Sequence, residues 1–312
     1  MRKTIIITSI IISLLVIGAL VASYFFYFAP LAKYNDAVNY LEKGDLEKAQ
    51  AIFSELGNFK DSAQHTEKFE WVESKYTFTF PYTDELYFQE FIYNKDGLLI
   101  EEKTTMGSHS SSIQKYTYDN NGRMLKRTNT LDDHDTLICT YQYNDDGQIT
   151  SETQDMLYTK AIYNYTYDQK GRIIKREGSF DQSDDPIIYT YTYNDDDDLI
   201  EETFEKPVEG FKEVISYEYK NGLKTKMTTS YGDGDFVMYY EYNDNNQLVR
   251  AYYDETIEAT MDSIPAQNTE YIYNDAGLNT KQIQQYAGFG ESVTEIEHQL
   301  IYNKFPKQQI YQ

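Results

Sequence analysis

The feature that most constrains the fold of this chain is a short tyrosine-rich motif that recurs along most of its length. The motif reads aromatic-x-Tyr, then Asn or Asp, then x-x-Gly and an aliphatic residue, with clear copies at residues 116–122, 141–147 and 165–171. When the second tyrosine is the marker, the units fall at Tyr93, Tyr118, Tyr143, Tyr167, Tyr193, Tyr219, Tyr242, Tyr273 and Tyr302. Successive markers lie 23 to 31 residues apart. A period of this kind predicts an array of similar supersecondary units.

Each unit has the pattern of two antiparallel strands joined by a tight turn. The two tyrosines are spaced by two, so both rings point to one face of a strand. The following Asn/Asp-x-x-Gly is typical of a type I turn closed by a residue with positive φ. Asp197 and Asn246 stand where this glycine is missing, and both residue types tolerate that conformation. The aliphatic residues that begin the return strand are Leu99, Met124, Ile149, Ile173, Leu199 and Leu248.

The repeats predict a mainly β fold in the form of a curved or spiral antiparallel sheet of β-hairpins. A single hairpin is not stable in water, so neighbouring hairpins must pool their tyrosine faces into one core. If each unit supplies two strands, the array has roughly sixteen to eighteen, and twisted sheets rarely exceed about 10 strands without curling. Spiral and barrel-like sheets both satisfy this condition. A β-propeller does not, because its blades need about 40 residues each.

Before the repeats, residues 31–75 have helical periodicity and form a short stalk. Gly44 and Gly57 end two predicted helices, and Asp61 begins a third that runs towards Trp71 and Val72. The apolar residues on the helix faces are Ala37, Leu41, Ala49, Phe53 and Leu56. Their spacing resembles a tetratricopeptide-like helical hairpin. One such unit cannot bury its own apolar face, which favours a cap or stalk over a peptide-binding groove.

The N-terminus predicts a single-pass membrane anchor. The run from Ile5 to Phe28 is almost entirely apolar, and about 20 such residues in a helix can cross a bilayer. Arg2 and Lys3 precede the run, so the N-terminus is expected in the cytoplasm and the remainder outside it. The alternative is a signal peptide cleaved near residues 21–23, but the apolar run continues beyond that point. The predicted domains are therefore 1–30 (tip and anchor), 31–75 (helical segment) and 76–312 (repeats).

The repeated segments YTYDNNG, YQYNDDG and YTYDQKG, each followed by Leu, Ile or Met, resemble YD repeats of the Rhs and teneurin type. The resemblance covers about Tyr93 to Tyr302. It implies a spiralling β-sheet shell, which serves some members to enclose a toxin and others for surface recognition. No cargo segment follows the last unit here, so toxin delivery is not expected.

The composition and the chemistry-bearing residues point away from catalysis. There are 51 acidic and 28 basic residues, for a formal charge of −23, which repels nucleic acid. His65, His109, His134 and His298 have no metal-ligand spacing. Cys139 is the single cysteine and is read as a small buried apolar group, and the residues 288–290 (Gly-Phe-Gly) as a loop. We therefore predict no catalytic, cofactor-binding or metal-binding residue.

Clustered carboxylates are the remaining candidates for chemistry. They are Asp132, Asp133, Asp135, Asp195, Asp196, Asp197, Asp198, Glu201 and Glu202. At predicted turns such residues are usually solvated, although a pair at defined separation would suit a glycosidase, and a loose Ca²⁺ site is a further alternative.

These observations predict a non-enzymatic, membrane-anchored envelope protein whose β-repeat surface binds a protein or a glycan. A hydrolase that uses the clustered carboxylates is one alternative. A relative of toxin shells or of their immunity partners is another.

Overall fold

A computed structural model describes residues 23–79, 85–107, 110–131, 134–181, 183–231, 234–253, 268–286 and 290–305. These residues divide between two compact units. The first, here the helical unit, falls within Met1–Val72, Asn94–Leu98 and Gln299–Lys307. The second, here the barrel unit, falls within Glu73–Tyr93, Leu99–His298 and Gln308–Gln312. The predicted three-domain division is not tested by this partition and stays a prediction.

The helical unit contains the helices that the sequence predicts. A π-helical stretch, Tyr24–Phe28, leads into α1 (Ala29–Glu42), which is followed by α2 (Leu46–Leu56) and α3 (Ser62–Thr66). Ala37 and Ala49 are fully buried against each other with Phe53, because small side chains let the two helices approach closely. Pro30 lies in the first turn of α1, where its missing N–H is tolerated.

Most of the predicted anchor, residues 1–22, lies outside the described residues. Within the part of the chain that the structure describes, no helix combines the length and apolar character needed to span a bilayer.

The predicted third helix is wrong beyond its first turn. Strand β1 begins at Phe69, so Trp71 and Val72 are extended rather than helical. From Glu70 to Glu73 the side chains alternate between half-buried and exposed, and this period of two is that of a strand. The tetratricopeptide-like interpretation is wrong as well, because the helical hairpin is followed by a sheet and not by a second helical pair.

Within the residues that the structure describes, eighteen strands make up the sheet. They are β1 (Phe69–Thr79), β2 (Leu86–Tyr93), β3 (Leu99–Met106), β4 (Ser110–Tyr118), β5 (Met124–Leu131), β6 (His134–Tyr143), β7 (Ile149–Met156), β8 (Thr159–Tyr167), β9 (Ile173–Phe180), β10 (Ser183–Tyr193), β11 (Leu199–Lys206), β12 (Phe211–Lys220), β13 (Leu223–Tyr231), β14 (Gly234–Tyr242), β15 (Leu248–Tyr253), β16 (Asn268–Tyr273), β17 (Asn279–Tyr286) and β18 (Gly290–Tyr302). A marker tyrosine ends or nearly ends every even-numbered strand. The prediction of a mainly β, hairpin-built antiparallel fold is confirmed.

The sheet closes on itself. Each strand pairs antiparallel with the next along the chain, and β1 also pairs with β18. In the barrel unit the Ser292 hydroxyl donates to the carbonyl of Thr79, which links these two strands through a side chain. Closure satisfies the backbone groups that an open edge would leave unpaired. Of the spiral and barrel-like sheets that the repeats allow, the structure has the closed barrel.

The turns have the predicted geometry. Asp197 and Asn246 have φ of 71° and 60°, as expected for residues that replace the closing glycine. The Asn or Asp at the start of a turn accepts hydrogen bonds from the backbone N–H groups two and four residues later in the turns that start at Asn94, Asp119, Asp168, Asn243 and Asn274. In the turn that starts at Asp168, these donors are Lys170 and Arg172, both at 2.9 Å. This local capping explains why the motif requires Asn or Asp at that position.

The two faces of the sheet differ in burial. In units such as Tyr141-Gln142-Tyr143 the two tyrosines are half-buried and the residue between them is exposed. Cys139, Glu152 and Tyr163 are buried and share the tyrosine face. In a closed sheet the more buried face is the enclosed one, so the tyrosines line the inside of the barrel. The prediction that they face inward is confirmed.

Candidate functional site

The second tyrosine of each unit ties its hairpin to the preceding one. Its hydroxyl donates to a backbone carbonyl at or next to the start of the return strand in the previous unit. The pairs are Tyr118 with Leu99 (2.6 Å), Tyr143 with Met124 (2.6 Å), Tyr167 with Ile149 (2.8 Å), Tyr193 with Ile173 (2.9 Å), Tyr219 with Leu199 (2.9 Å), Tyr242 with Lys224 (2.8 Å) and Tyr273 with Leu248 (2.8 Å). Burial raises the pKa of Tyr118 and of Tyr143 to about 12, so these phenols remain donors. These tyrosines therefore have a structural role.

The first aromatic of each unit faces a position that carries charge in five consecutive units. This position lies directly across the hairpin, nine residues after the marker tyrosine in each of these units. The five residues, here called the charge row, are Glu102, Arg127, Glu152, Arg176 and Glu202. The next three units place Met227, Ala251 and Gln282 there. The row thus alternates in sign along the inside of the barrel and ends at Glu202.

The centre of the charge row is an ion pair between neighbouring units. A guanidinium nitrogen of Arg176 lies 3.1 Å from the Glu152 carboxylate, whose side chain is only 7% exposed. The same carboxylate accepts from the Tyr165 hydroxyl at 2.7 Å and from the Gln154 amide at 2.8 Å. Burial, and next the Glu152 charge, raise the pKa of Tyr165, so its proton is retained for this bond. A buried carboxylate with three donors is well compensated.

Arg176 is also surrounded by aromatic rings. Its guanidinium carbon lies 3.7 Å from the ring centroid of Tyr163 and 5.2 Å from that of Tyr189. Cation–π contacts of this kind stabilise a desolvated guanidinium. Its Nε atom, like that of Arg127, is buried and makes no hydrogen bond within the described structure. The inside of the barrel therefore already shows how it accommodates a cation, through a carboxylate and stacked rings.

The outer members of the row repeat part of this arrangement. The Tyr116 hydroxyl donates to Glu102 at 3.0 Å and the Tyr217 hydroxyl donates to Glu202 at 2.5 Å, as Tyr165 does to Glu152. Arg127 donates instead to the sulfur of Cys139 at 3.5 Å. Each glutamate of the row thus accepts from the first tyrosine of the following unit.

A cavity of about 300 Å³ adjoins the end of the charge row. The rings of Tyr189 and Phe204 stack beside it, with centroids 5.1 Å apart and an interplanar angle of 28°. The cavity is lined by Tyr189, Glu202, Thr203, Phe204, Glu213 and Ile215. Its volume is at the lower limit of ordinary ligand pockets, and its combination of aromatic walls with a few polar groups is typical of them.

The structure separates the predicted carboxylate cluster. Asp197 pairs with Lys170 and Arg172 of the preceding turn, at 2.5 and 2.6 Å, and these cations lower the pKa of its carboxyl. Asp195 and Asp196 are exposed in the same turn. The Asp198 carboxylate accepts from the side-chain amide of Asn194, Glu201 is exposed on the outer face, and of these acidic residues Glu202 lines the cavity. Asp132, Asp133 and the side chain of Asp135 lie outside the described residues.

The other candidate residues are dispersed. His65 belongs to the helical unit, where its Nδ1 lies 2.6 Å from the Tyr302 hydroxyl. His134 begins β6 and His298 lies in β18, while His109 and residues 288–289 are outside the described residues. Cys139 is fully buried. Over the described ranges, no group of three or more His, Cys, Asp or Glu side chains is arranged to hold a metal ion.

The sequence analysis did not identify Glu102, Arg127, Glu152 or Arg176. A signal for them exists, namely the constant offset of nine residues from the marker tyrosine. The signal is hard to recognise because a β-bulge lies near the start of the return strand, as at Leu125, and shifts the inward positions by one residue.

A family model described as "Uncharacterised protein" matches residues 131–263. No curated relative matches this sequence. One similar solved structure is a porin-like protein from Bacteroides uniformis, with 13% identity, a TM-score of 0.41, and coverage of 73% of this chain and 98% of that chain. Another is TcdB2-TccC3-TEV, with 14% identity, a TM-score of 0.31 and coverage of 66% of this chain; our chain spans 14% of its length.

The interpretation as an Rhs/YD-repeat relative is wrong. Over the described part of the chain the repeats form one closed sheet of eighteen strands instead of a spiral shell, and the matching family model is that of an uncharacterised protein. The predicted hairpin units are nevertheless present in the structure. Their tyrosine motif specifies the turn and the inward face, and both features are equally useful in a closed barrel.

Proposed function

We propose that this chain is a non-enzymatic envelope protein that binds a glycan segment at the cavity beside Tyr189 and Phe204. The single observation that carries the proposal is the pairing of two stacked rings with two carboxylates around a cavity of about 300 Å³. The C–H face of a sugar ring packs on aromatic surfaces. Sugar hydroxyls donate to carboxylates in charge-assisted hydrogen bonds.

The non-enzymatic part of the proposal is supported by the way the acidic groups of the charge row are used. Glu102 and Glu152 each accept a hydrogen bond from a tyrosine, and Glu152 is also paired with Arg176. Carboxylates committed in this way stabilise the barrel. The turn carboxylates, represented by Asp197, are committed to ion pairs on the outside. A hydrolase that uses Asp195–Asp198 is therefore disfavoured.

The envelope part of the proposal is supported by the sequence of the first 30 residues. The apolar run after Arg2 and Lys3 is long enough to anchor or export the chain. The binding site would then face envelope polymers. A net charge of −23 adds repulsion towards nucleic acid and other polyanions.

Calorimetric titration of the full-length protein in mild detergent tests this proposal. The titrants are β-1,4-linked oligomers of glucose, N-acetylglucosamine and glucosamine. We expect saturable binding of at least one oligomer and no release of shorter products. Phe204→Ala should abolish binding. Tyr158→Ala should not, since Tyr158 does not line the cavity and its ring is 84% exposed. Binding that is lost with Tyr158→Ala and kept with Phe204→Ala would contradict the assigned site, and absence of binding to all oligomers would contradict the function.

A further inference from the structure

We propose that the cavity takes a sugar bearing a protonated primary amine, with the ammonium group held between Glu202 and Glu213. This inference rests on the proposed glycan-binding function and adds the ligand's charge to it. It follows from the way the charge row ends and from the groups that surround its last member.

The first step is the alternation of the row. Glu152 has Arg176 in the next unit and receives an ion pair from it at 3.1 Å. Glu202 occupies the equivalent place two units later, but the following unit has Met227 where an arginine would continue the pattern. The alternation therefore stops at a carboxylate. A cation supplied from outside completes it.

The second step is the presence of another carboxylate on the same face. Phe204 is directly opposite Glu213 in the register of β11 and β12, and Glu202 is directly opposite Ile215. Glu213 and Ile215 are two residues apart, so Glu202 and Glu213 are diagonal neighbours on the inner face. Both line the cavity. Two carboxylates that line the same cavity attract a monovalent cation.

The third step concerns the cations nearby. Arg176 contacts the ring of Tyr189 but is paired with Glu152. Lys224 lies over the ring of Tyr217 at 4.0 Å, and Tyr217 donates to Glu202. Burial lowers the pKa of Lys224, while Glu202 opposes this shift. One lysine offsets one of the two carboxylates at most. A net negative charge therefore remains at the cavity and can be neutralised by an ammonium group.

The fourth step is the aromatic wall. Tyr189 already accepts the guanidinium of Arg176 at 5.2 Å from its centroid, and its stacked neighbour Phe204 lines the cavity itself. An ammonium on a sugar ring gains from both kinds of contact at once, because the ring stacks while the charge meets carboxylates and π faces. A neutral or N-acetylated sugar keeps the stacking and loses the ionic contact.

The test compares oligomers of equal length that differ only at the amine. Full-length protein in mild detergent at pH 6 is titrated with tetramers of glucosamine, N-acetylglucosamine and glucose. We expect the glucosamine tetramer to bind at least tenfold more tightly than the other two. Glu202→Gln and Glu213→Gln should each remove most of this preference. Glu201→Gln is the matched control, because Glu201 is the adjacent residue on the exposed outer face, and it should leave the preference unchanged.

The possible outcomes separate the two proposals. If the acetylated or neutral tetramer binds as tightly as the amine, the ammonium site is wrong and glycan binding stands. If the preference for the amine is the same in Glu201→Gln and in both inner variants, the attraction is the general negative charge and the site is again wrong. If none of the tetramers binds, the proposed function itself fails. Unfolding curves of all three variants establish that each one is folded, and Glu213→Gln, which keeps the Tyr217 contact of Glu202, covers a loss of folding in Glu202→Gln.

Discussion

The hydroxyl of Tyr165 donates a 2.7 Å hydrogen bond to the carboxylate of Glu152, which belongs to the preceding repeat. Tyr116 with Glu102 and Tyr217 with Glu202 form the same contact elsewhere in the barrel. The first tyrosine of a unit thus recognises the acid of its neighbour. Repeats are coupled by specific polar contacts as well as by apolar burial, and this coupling leads to measurable predictions.

Removing one such hydroxyl should destabilise the barrel without creating a cavity. Tyr165→Phe leaves Glu152 with one donor fewer, and a hydrogen bond to a charged group contributes about 1.5 to 3 kcal/mol. We expect the free energy of unfolding in urea to fall by about that amount. Tyr158→Phe, at an 84% exposed ring, should change it by less than about 0.5 kcal/mol. Equal effects of the two variants would contradict the role given to Tyr165.

The ion pair at the centre of the charge row should show strong coupling. Glu152→Gln leaves the Arg176 guanidinium buried without its counter-charge, which we expect to cost about 3 to 5 kcal/mol. Arg176→Met places at this position the residue that occurs naturally as Met227 in another unit. The double variant should be more stable than Glu152→Gln alone. A double-mutant cycle in urea measures this, and additive effects would show that the pair is not coupled.

The marker tyrosines should contribute independently of one another. Tyr143→Phe and Tyr193→Phe each remove a hydrogen bond to a backbone carbonyl, of 2.6 and 2.9 Å. Each change should lower stability by about 1 kcal/mol. The two strands are four positions apart in the sheet, roughly 19 Å, so the effects should add to within about 0.5 kcal/mol. A double variant no less stable than either single one would contradict this.

Position 178 requires a glycine because of the neighbouring ring of Tyr163, and not because of the backbone conformation of Gly178. A Cβ at position 178 would lie 2.3 Å from a ring carbon of Tyr163, whose side chain is buried against Arg176. Gly178→Ala should therefore displace this ring and cost about 1 to 3 kcal/mol. Gly234→Ala is the control, because a Cβ at Gly234 meets nothing within 4 Å. Thermal unfolding compares them, and a neutral Gly178→Ala would show that the ring is free to move.

The helical unit should lose stability in mild acid. His65 stacks on Phe53 at 4.4 Å and contacts the Tyr302 hydroxyl, and burial lowers its pKa below the ordinary 6.5 despite the nearby Asp61. The folded form therefore binds the proton less readily than the unfolded form. Stability is complete above about pH 6.5 and falls as the pH drops below that value.

Unfolding of the helical unit followed between pH 7.5 and 5.0 measures this effect. His65→Phe keeps a ring at the site and removes the titrating group, so its stability should depend less on pH in this window. A pH response equal to that of the wild type would assign the effect to other groups.

The local parts of this structure were predictable because their causes are local. The turn capped by Asp168 and the positive φ of Asp197 depend on a few neighbouring residues, and the tyrosine spacing fixes the inward face. Closure was not predictable in the same way. Strand β1 lacks the repeat motif, and nothing in its sequence identifies β18 as its partner. The start of β1 at Phe69 was not predictable either, because helix-forming residues directly precede it.

The charge row was not predictable from the sequence, because β-bulges change which residues of a strand face inward. In β5 the bulge residue Leu125 is 43% exposed, and it moves Lys126 outward and Arg127 inward. Counting by twos from Met124 assigns these two residues to the wrong faces. The cavity involves side chains from three strands, including Tyr189 and Glu213, whose register depends on such bulges. A single repeat does not contain that information.

Hydrogen exchange of the terminal strands tests the central structural claim most directly. The account predicts that amides of β1 within 73–79 and of β18 within 290–298 are protected in the native protein as strongly as those of β6 and β7, because both strands have two neighbours. Mass spectrometry of exchanged peptides measures this. Rapid exchange of β1 and β18 beside a protected β6 and β7 would mean an open sheet with two free edges, and the closed barrel would be wrong.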